Sequence, residues 1–99
     1  MKNNFLKNAG FEVTSLGLGC EPLGGTDWGH IDHDEVRSAV GRAFDLGIRV
    51  FDTADVYGLG RSEIELSKAL GVNRHKATVI TKFGVRWEQN GNKKRALTY

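Results

Sequence analysis

Cysteine and proline are almost absent from this chain of 99 residues, which has one of each. A lone cysteine, Cys20, excludes an internal disulfide and provides no metal-ligand spacing, which is typical of a reducing compartment. Long apolar runs are also absent: lysine and asparagine interrupt residues 1–11, so these residues lack the apolar segment of a signal peptide. We therefore expect a cytoplasmic protein that is neither secreted nor membrane-spanning.

An excess of charge of one sign is lacking as well. The 14 basic and 12 acidic residues leave a net charge of +2, too weak a field to indicate nucleic acid, a membrane surface or a polyanionic substrate as partner. Hydrophobic residues make up 39% of the chain, and at this length they bury only a modest core. We expect one small domain over residues 1–99.

The pattern of apolar residues predicts alternating strands and helices. Residues 12–19 form a β-rich run that ends in glycines, and the turn signal before it predicts a hairpin that leads into a first buried strand. A helix is predicted over residues 33–46, with Asp32 or Asp34 as its N-cap and Gly47 as its stop. Its apolar face consists of Val36, Ala39, Val40, Ala43 and Phe44.

Two more strands and a second helix follow. Residues 48–51 predict a strand, because β-branched and aromatic residues come directly after a glycine. Ser62 and Glu65 form a capping-box pattern at the start of a helix that ends at Gly71, and residues 77–81 predict a third strand. The apolar stripe of that helix is Ile64, Leu66, Ala69 and Leu70. The order β-α-β-α-β predicts a parallel sheet with right-handed crossovers.

Three chemically useful side chains follow the predicted strands. Asp52 and Lys82 come directly after the second and third strands, and Tyr57 lies in the loop after Asp52. Functional groups of parallel α/β folds collect at this edge of the sheet. A phenol with its ordinary pKa of about 10 is a poor acid at neutral pH unless a nearby ammonium stabilises the phenolate. Lys82, held by Asp52, would make Tyr57 a general acid that protonates a carbonyl oxygen as hydride arrives.

Each of these three residues also has a purely structural interpretation. Taken alone, Asp52 is a loop or helix cap, Tyr57 a half-buried loop anchor, and Lys82 a solvated charge. Their combination favours a catalytic origin. The nearby glycines at positions 17 and 19 do not indicate a dinucleotide-binding loop, because Pro22 occupies the place of the third glycine of that motif.

Two further clusters of charged or metal-binding residue types have simple explanations. His30 and His33, with Asp32 and Asp34 nearby, have the residue types of a metal cluster. They lie at the start of a predicted helix, where acids cap the backbone and complement the helix dipole, so we predict no metal. Residues 93–95 are three basic residues without interleaved aromatic residues, and we predict a solvated polar loop there.

The chain resembles the aldo-keto reductase family in four motifs. These are Gly17-Leu18-Gly19, Gly24-Gly25, Phe51-Asp52-Thr53-Ala54-x-x-Tyr57-Gly58 through Ser62-Glu63, and Thr81-Lys82-Phe83-Gly84. The resemblance implies an α/β fold, the N-terminal part of a (β/α)8 TIM barrel, with a hairpin followed by three of the eight βα units. It also implies NADPH (or NADH) as cofactor and a small-molecule aldehyde or ketone, sugar-like ones included, as substrate.

The resemblance assigns roles to single residues. It implies that Asp52, Tyr57 and Lys82 are three members of a catalytic tetrad, with Tyr57 as the proton donor. The fourth member, a histidine on the fourth strand, has no counterpart in this chain.

Cofactor and substrate contacts are implied in the same way. The implied cofactor contacts are Cys20, Glu21, Thr26 and Asp52. Cys20 stands where the family often has threonine. Trp28 and Trp87 lie in loops expected on the catalytic side, so they are candidate walls of the substrate pocket, and packing is an equally good interpretation.

A whole barrel needs about 250 residues, so the strands of this shorter chain would keep open edges. We expect a single, truncated aldo-keto reductase domain that is catalytically incomplete alone and that covers its open edges with a partner chain or a second copy. The alternative is a non-catalytic binding or regulatory module, or an inactive truncated product, that keeps the reductase scaffold. A complex that survives Tyr57→Phe without functional loss would favour that alternative.

Overall fold

A computed structural model describes residues 1–25, 30–87 and 93–95. The described residues form seven strands, two α-helices and two 3-10 helices. The strands are β1 (Asn3–Leu6), β2 (Phe11–Thr14), β3 (Gly17–Gly19), β4 (Val50–Asp52), β5 (Thr78–Ile80), β6 (Val85–Trp87) and β7 (Lys93–Arg95). The α-helices are α1 (His33–Asp45) and α2 (Arg61–Leu70), and the 3-10 helices are Glu21–Gly24 and Gly71–Lys76.

The hairpin predicted at the N-terminus is present. Strands β1 and β2 pair antiparallel, with Asn3 opposite Thr14 and Leu6 opposite Phe11. Gly10 permits the turn because its φ is +77°, a conformation that glycine adopts without steric cost. The chain then enters β3, as the sequence predicts.

The central sheet is parallel and has the order β3-β4-β5. Gly19, Asp52 and Ile80 lie side by side in its register, which places the carboxyl ends of the three strands at one edge. Each crossover contains one helix, so the predicted β-α-β-α-β arrangement is confirmed. Strand β4 begins at residue 50, later than predicted, because the backbone N–H of Arg49 binds the hydroxyl of Thr14 at 3.2 Å.

Helix α1 begins where the sequence predicts. The carboxylate of Asp32 accepts hydrogen bonds from the backbone N–H groups of Asp34 and Glu35, which satisfies two of the free donors at the helix start. Val40 and Ala43 are buried on its apolar face. Ala39, predicted on the same face, is exposed because it lies at the margin of the stripe.

Helix α2 corrects two predictions. Its N-cap is Gly60, with φ of +95°, and no side chain caps it, so the capping box of Ser62 and Glu65 does not form. Ser62 lies inside the first turn, and Glu65 pairs with Arg37 of α1 at 2.5 Å. Ile64 is exposed rather than buried, because it falls outside the stripe that packs on the sheet.

The core lies between one face of the central sheet and the two helices. It contains Cys20, Leu23, Val40, Ala43, Phe51, Leu66 and Leu70. Phe51 is fully buried, whereas Ile80 on the opposite face of the sheet is 49% exposed. Within the described residues, no strand pairs with the outer edge of β3 or β5. The fold is therefore part of a barrel, with helices outside and an uncovered inner face.

The last strands correct the prediction of a polar loop at residues 93–95. Strand β7 pairs antiparallel with β6, so that Trp87 lies opposite Lys93. Backbone hydrogen bonds alone form such a ladder, and a two-stranded hairpin needs no apolar pattern. In the part of the chain that the structure describes, no helix has the length and apolar content needed to cross a bilayer.

Candidate active site

Asp52 and Lys82 meet at the carboxyl edge of the central sheet. Asp52 is the last residue of β4, and Lys82 follows the end of β5. The ammonium of Lys82 donates one hydrogen bond to the Asp52 carboxylate and another to the carbonyl oxygen of Thr53, at 2.7 Å. Both charged side chains are about half exposed, so the pair lies at a surface that a ligand can reach.

Tyr57 completes this group of polar side chains. The Lys82 nitrogen lies 5.0 Å from the centroid of the Tyr57 ring, within the range of a cation–π contact. Burial lowers the pKa of Lys82, but its interactions with Asp52 and Tyr57 outweigh burial, so the pKa of Lys82 is raised above its ordinary value. Lys82 therefore keeps its positive charge beside the phenol at neutral pH.

A close backbone contact holds the Tyr57 loop. A Cβ added to Gly24 would lie 2.6 Å from the backbone nitrogen of Gly58, and one added to Gly58 would lie 2.3 Å from the carbonyl oxygen of Gly24. Neither position tolerates a side chain, because both neighbours are backbone atoms. The loop therefore packs directly on the 3-10 helix after β3, which fixes the backbone next to Tyr57.

Two cavities lie on either side of Tyr57. One, of about 340 Å³, is lined by Gly19, Cys20, Glu21, Pro22, Asp52 and Tyr57. The other, of about 210 Å³, is lined by Ala54, Asp55, Val56, Tyr57, Lys82, Phe83 and Val85. The first falls in the range of about 300–1,000 Å³ that is usual for small-molecule sites, and it places the proposed acid against space for a ligand.

Cys20 is one of the residues that line this cavity, and it is fully buried in the core. Burial first, and then the charge of Asp52, raise the pKa of the Cys20 thiol to about 11. Its backbone N–H donates to the Asp52 carbonyl at 2.8 Å, and its carbonyl accepts from the Ser62 hydroxyl at 2.7 Å. Cys20 is thus a wall of the cavity with an unreactive thiol.

Some of the other predicted site residues lie at this cavity, and others fall outside the described residues. Glu21 lines the same cavity as Cys20 and Asp52, so three of the four predicted cofactor contacts lie together there. Thr26 and Trp28 lie outside the described residues, and so does the side chain of Trp87. No group of three metal-binding side chains occurs within the described ranges.

Sequence reasoning missed the residues that connect the site to the helices. Thr53 and Ser62 are fully buried, and their hydroxyl oxygens lie 2.7 Å apart. The hydroxyl of Thr81 donates to the carboxylate of Glu63 at 2.5 Å. The signal that could have identified them is their position: each stands beside a candidate catalytic residue or at the start of the following helix.

Comparison with known proteins identifies the family of this site. The model of the aldo/keto reductase family matches residues 15–98. "Probable aldo-keto reductase 1" of Glycine max is 42% identical over 81 residues, which cover 81% of this chain and 23% of the relative. L-galactose dehydrogenase of Arabidopsis thaliana is 42% identical over 82 residues, which cover 80% of this chain and 25% of the relative.

A solved structure supports the same conclusion for the fold. An aldo-keto reductase from Bacillus halodurans, in its holo form, superposes with a TM-score of 0.83 at 33% identity, covering 97% of this chain and 30% of that protein. The predicted partial barrel is thereby confirmed. The chain spans about a quarter of the length of the curated relatives it matches.

Proposed function

The chain belongs to the aldo/keto reductase family, and we propose that it carries the proton-donating part of a site that reduces an aldehyde or ketone with NADPH (or NADH). Members of this family are oxidoreductases. The single observation that carries the proposal is the position of Tyr57. Its ring lies 5.0 Å from a paired ammonium and lines a cavity of ligand size.

The proposed chemistry follows from the charges around Tyr57. As a carbonyl gains hydride, its oxygen becomes negative and takes a proton from the phenol of Tyr57. The phenolate that remains is stabilised by the Lys82 ammonium. Asp52 and the carbonyl of Thr53 hold that ammonium in place. Such a positioned acid contributes a rate factor of about 10²–10⁴.

The residues fit one end of a nicotinamide cofactor. A reduced nicotinamide, when bound, would supply the hydride. Among the described residues that line the cavity beside Tyr57, the charged ones are Glu21 and Asp52, and the Asp52 carboxylate is paired with Lys82. The Glu21 carboxylate would repel cofactor phosphates there. We therefore assign this cavity to the nicotinamide and substrate end, and the phosphates to the rest of the barrel.

The Glu21 carboxylate also bears on the substrate, because it disfavours an anionic compound. Glu21 and Asp52 can accept hydrogen bonds from the hydroxyl groups of a neutral one. A small aldehyde or ketone with sugar-like hydroxyls fits this requirement. The similarity to L-galactose dehydrogenase supports a substrate of that class. Because the chain corresponds to part of the family's barrel, we propose that turnover requires the remaining βα units, from a partner chain or a longer protein.

Complementation tests this function. The chain, with Tyr99 joined to the later βα units of the Bacillus halodurans relative, should reduce neutral aldehydes, aldoses among them, while oxidising NADPH or NADH. Turnover should fall by about 10²–10⁴-fold in the Tyr57→Phe variant, because the proton donor is absent. Tyr99→Phe, which changes the chain's other tyrosine, is the matched control and should keep it.

The same experiment separates the proposal from its alternative. Absence of reduction in every complemented barrel would contradict the enzyme assignment. Full turnover by Tyr57→Phe would contradict the role of Tyr57. A stable complex with another protein would indicate a binding module on the reductase scaffold, if the complex forms equally well with Tyr57→Phe and shows no carbonyl reduction.

A further inference from the structure

The first turn of α2 contacts all three strands of the central sheet at their carboxyl ends. Ser62 reaches the ends of β3 and β4, where it contacts the Cys20 carbonyl and the Thr53 hydroxyl. Glu63 reaches the end of β5, where it contacts Thr81. We call Ser62 and Glu63 the α2 anchor. These contacts are side-chain bonds from a helix to strand ends, and helix formation does not require them.

The direction of the buried hydrogen bonds follows from counting protons. Ser62 has one hydroxyl proton, which it donates to the carbonyl of Cys20. The proton between Ser62 and Thr53 therefore comes from Thr53, which donates to the Ser62 oxygen at 2.7 Å. Both side chains are fully buried, so water cannot replace either bond, and a buried hydroxyl that loses its partner is strongly disfavoured.

Thr53 connects this chain of hydroxyls to Lys82. Its N–H donates to the carbonyl of Ile80 at 2.7 Å, and its own carbonyl accepts from the Lys82 ammonium at 2.7 Å. All three polar groups of Thr53 are thus bound, to α2, to β5 and to Lys82. A shift of Thr53 would move a ligand of the ammonium, and Asp52, the other ligand, is the preceding residue.

Glu63 contacts the residue that precedes Lys82. Its carboxylate accepts the hydroxyl of Thr81 at 2.5 Å, and Thr81 directly precedes Lys82. The anchor thereby holds both strands that supply the ion pair, since β4 carries Asp52 and β5 leads to Lys82. A rigid shell of this kind is what fixes a catalytic group in its working geometry.

We propose that Ser62 and Glu63 are positioning residues, which hold the Lys82 ammonium against Asp52 and Tyr57 by tying the first turn of α2 to the ends of the three strands. The proposal deepens the function above, because the ammonium matters to catalysis only if Tyr57 is the acid. The positioning itself is a property of the chain and is measurable without substrate.

The test is an NMR titration of Lys82 in the full chain with labelled lysine, the Lys82 signal being assigned by its loss in Lys82→Met. The measured pKa of Lys82 should fall toward the ordinary lysine value of 10.5 in Ser62→Ala, as its bond acceptors move away. It should also be lower in Glu63→Ala than in Glu63→Gln, which loses the same charge but keeps an acceptor for Thr81. Ser67→Ala changes an exposed serine of the same helix and should leave it unchanged.

A second variant covers the case in which Ser62→Ala does not fold. Thr53→Val combined with Ser62→Ala removes both buried hydroxyls and leaves no orphaned donor between them, and the pKa of Lys82 should fall in this variant too. A folded anchor variant whose Lys82 titrates as in the parent, or an equal fall in Ser67→Ala, would overturn the proposal. The activity of Tyr57→Phe is measured separately, in the complemented barrel. A negative result there would contradict the proposed function and would leave the Lys82 titration as an independent test of positioning.

Discussion

Two ion pairs of this chain differ in their surroundings, and the difference separates stability from function. Arg37 and Glu65 join α1 to α2, and the Glu65 side chain is only 5% exposed. Lys82 and Asp52 join two strand ends, and their side chains are 47% and 53% exposed. The first pair lies between packed elements, and the second borders a cavity.

The physical consequences of breaking the two pairs are opposite. A buried carboxylate that loses its partner keeps an uncompensated charge in a poorly solvated place, which costs much stability. An exposed pair gains little, because water and salt screen it. The Lys82 pair therefore contributes little to folding, and we propose that its place beside Tyr57 serves the reduction. Stability and activity should be separable by substitution.

The largest effect is expected from a substitution that breaks the exposed pair. In the complemented barrel, Lys82→Met should reduce turnover by about 10²-fold or more, because the Tyr57 phenolate loses its counter-charge. Its free energy of unfolding should change by no more than about 1 kcal/mol. Steady-state kinetics and urea unfolding measure the two quantities. Lys68→Met, an exposed lysine of α2, is the control, and equal turnover in both variants would refute the role of Lys82.

The buried pair should show the reverse behaviour. Arg37→Met leaves the buried carboxylate of Glu65 without its partner, and we expect a loss of about 3 kcal/mol in the free energy of unfolding, at the low end for buried pairs because Arg37 is partly exposed. Urea unfolding followed by circular dichroism measures it. Arg42→Met changes an exposed arginine of α1 and should have little effect on the free energy of unfolding.

A double substitution sharpens this second result. Replacing Arg37 and Glu65 together with methionine removes both charges and restores apolar packing, so most of the lost stability should return. If the double variant is as unstable as Arg37→Met, the interaction between α1 and α2 depends on something other than an uncompensated charge.

The fold was largely predictable because its signals are local. Asp32 stands before an apolar stripe, and Gly47 follows it, so both ends of α1 can be recognised in the sequence. Asp52 and Lys82 follow short apolar strands, and parallel topology brings such strand ends together. The sequence alone therefore predicts that the candidate site residues lie at one edge of the sheet.

The contacts that hold the site were not predictable, because they are tertiary. Ser62 fits a capping box equally well on sequence alone, and only the position of the Cys20 carbonyl shows that its hydroxyl is used elsewhere. Gly24 has no special local signal, although Gly58 lies against it. Residues 93–95 pair through their backbone, so their charged side chains concealed a strand.

Gly24→Ala tests the close backbone contact that holds the Tyr57 loop, by comparison with an added methyl group on the surface of α1. The new methyl would meet the backbone of Gly58 at 2.6 Å, so the Tyr57 loop must move, at a cost of about 2 kcal/mol. Gly41→Ala is the matched control, because nothing lies within 4 Å of its added Cβ; in a helix interior it should stabilise by up to about 1 kcal/mol. Thermal unfolding measures both, and equal stability of the two variants would contradict the close approach.

The smallest expected effect concerns Cys20, which is buried like Glu65 but neutral. Its thiol pKa is raised to about 11 from 9.0, so the folded chain holds this proton where the unfolded chain releases it. The resulting stability is fully present below pH 9 and is lost as the pH rises toward 11. Between pH 8 and pH 10, urea unfolding should show the parent losing about 1 kcal/mol more than Cys20→Ala. Lysines and tyrosines titrate in both proteins, so their contributions cancel in the difference. Parallel curves for the two proteins would mean that the thiol ionises as easily in the folded chain as in the unfolded one, against its burial in the core.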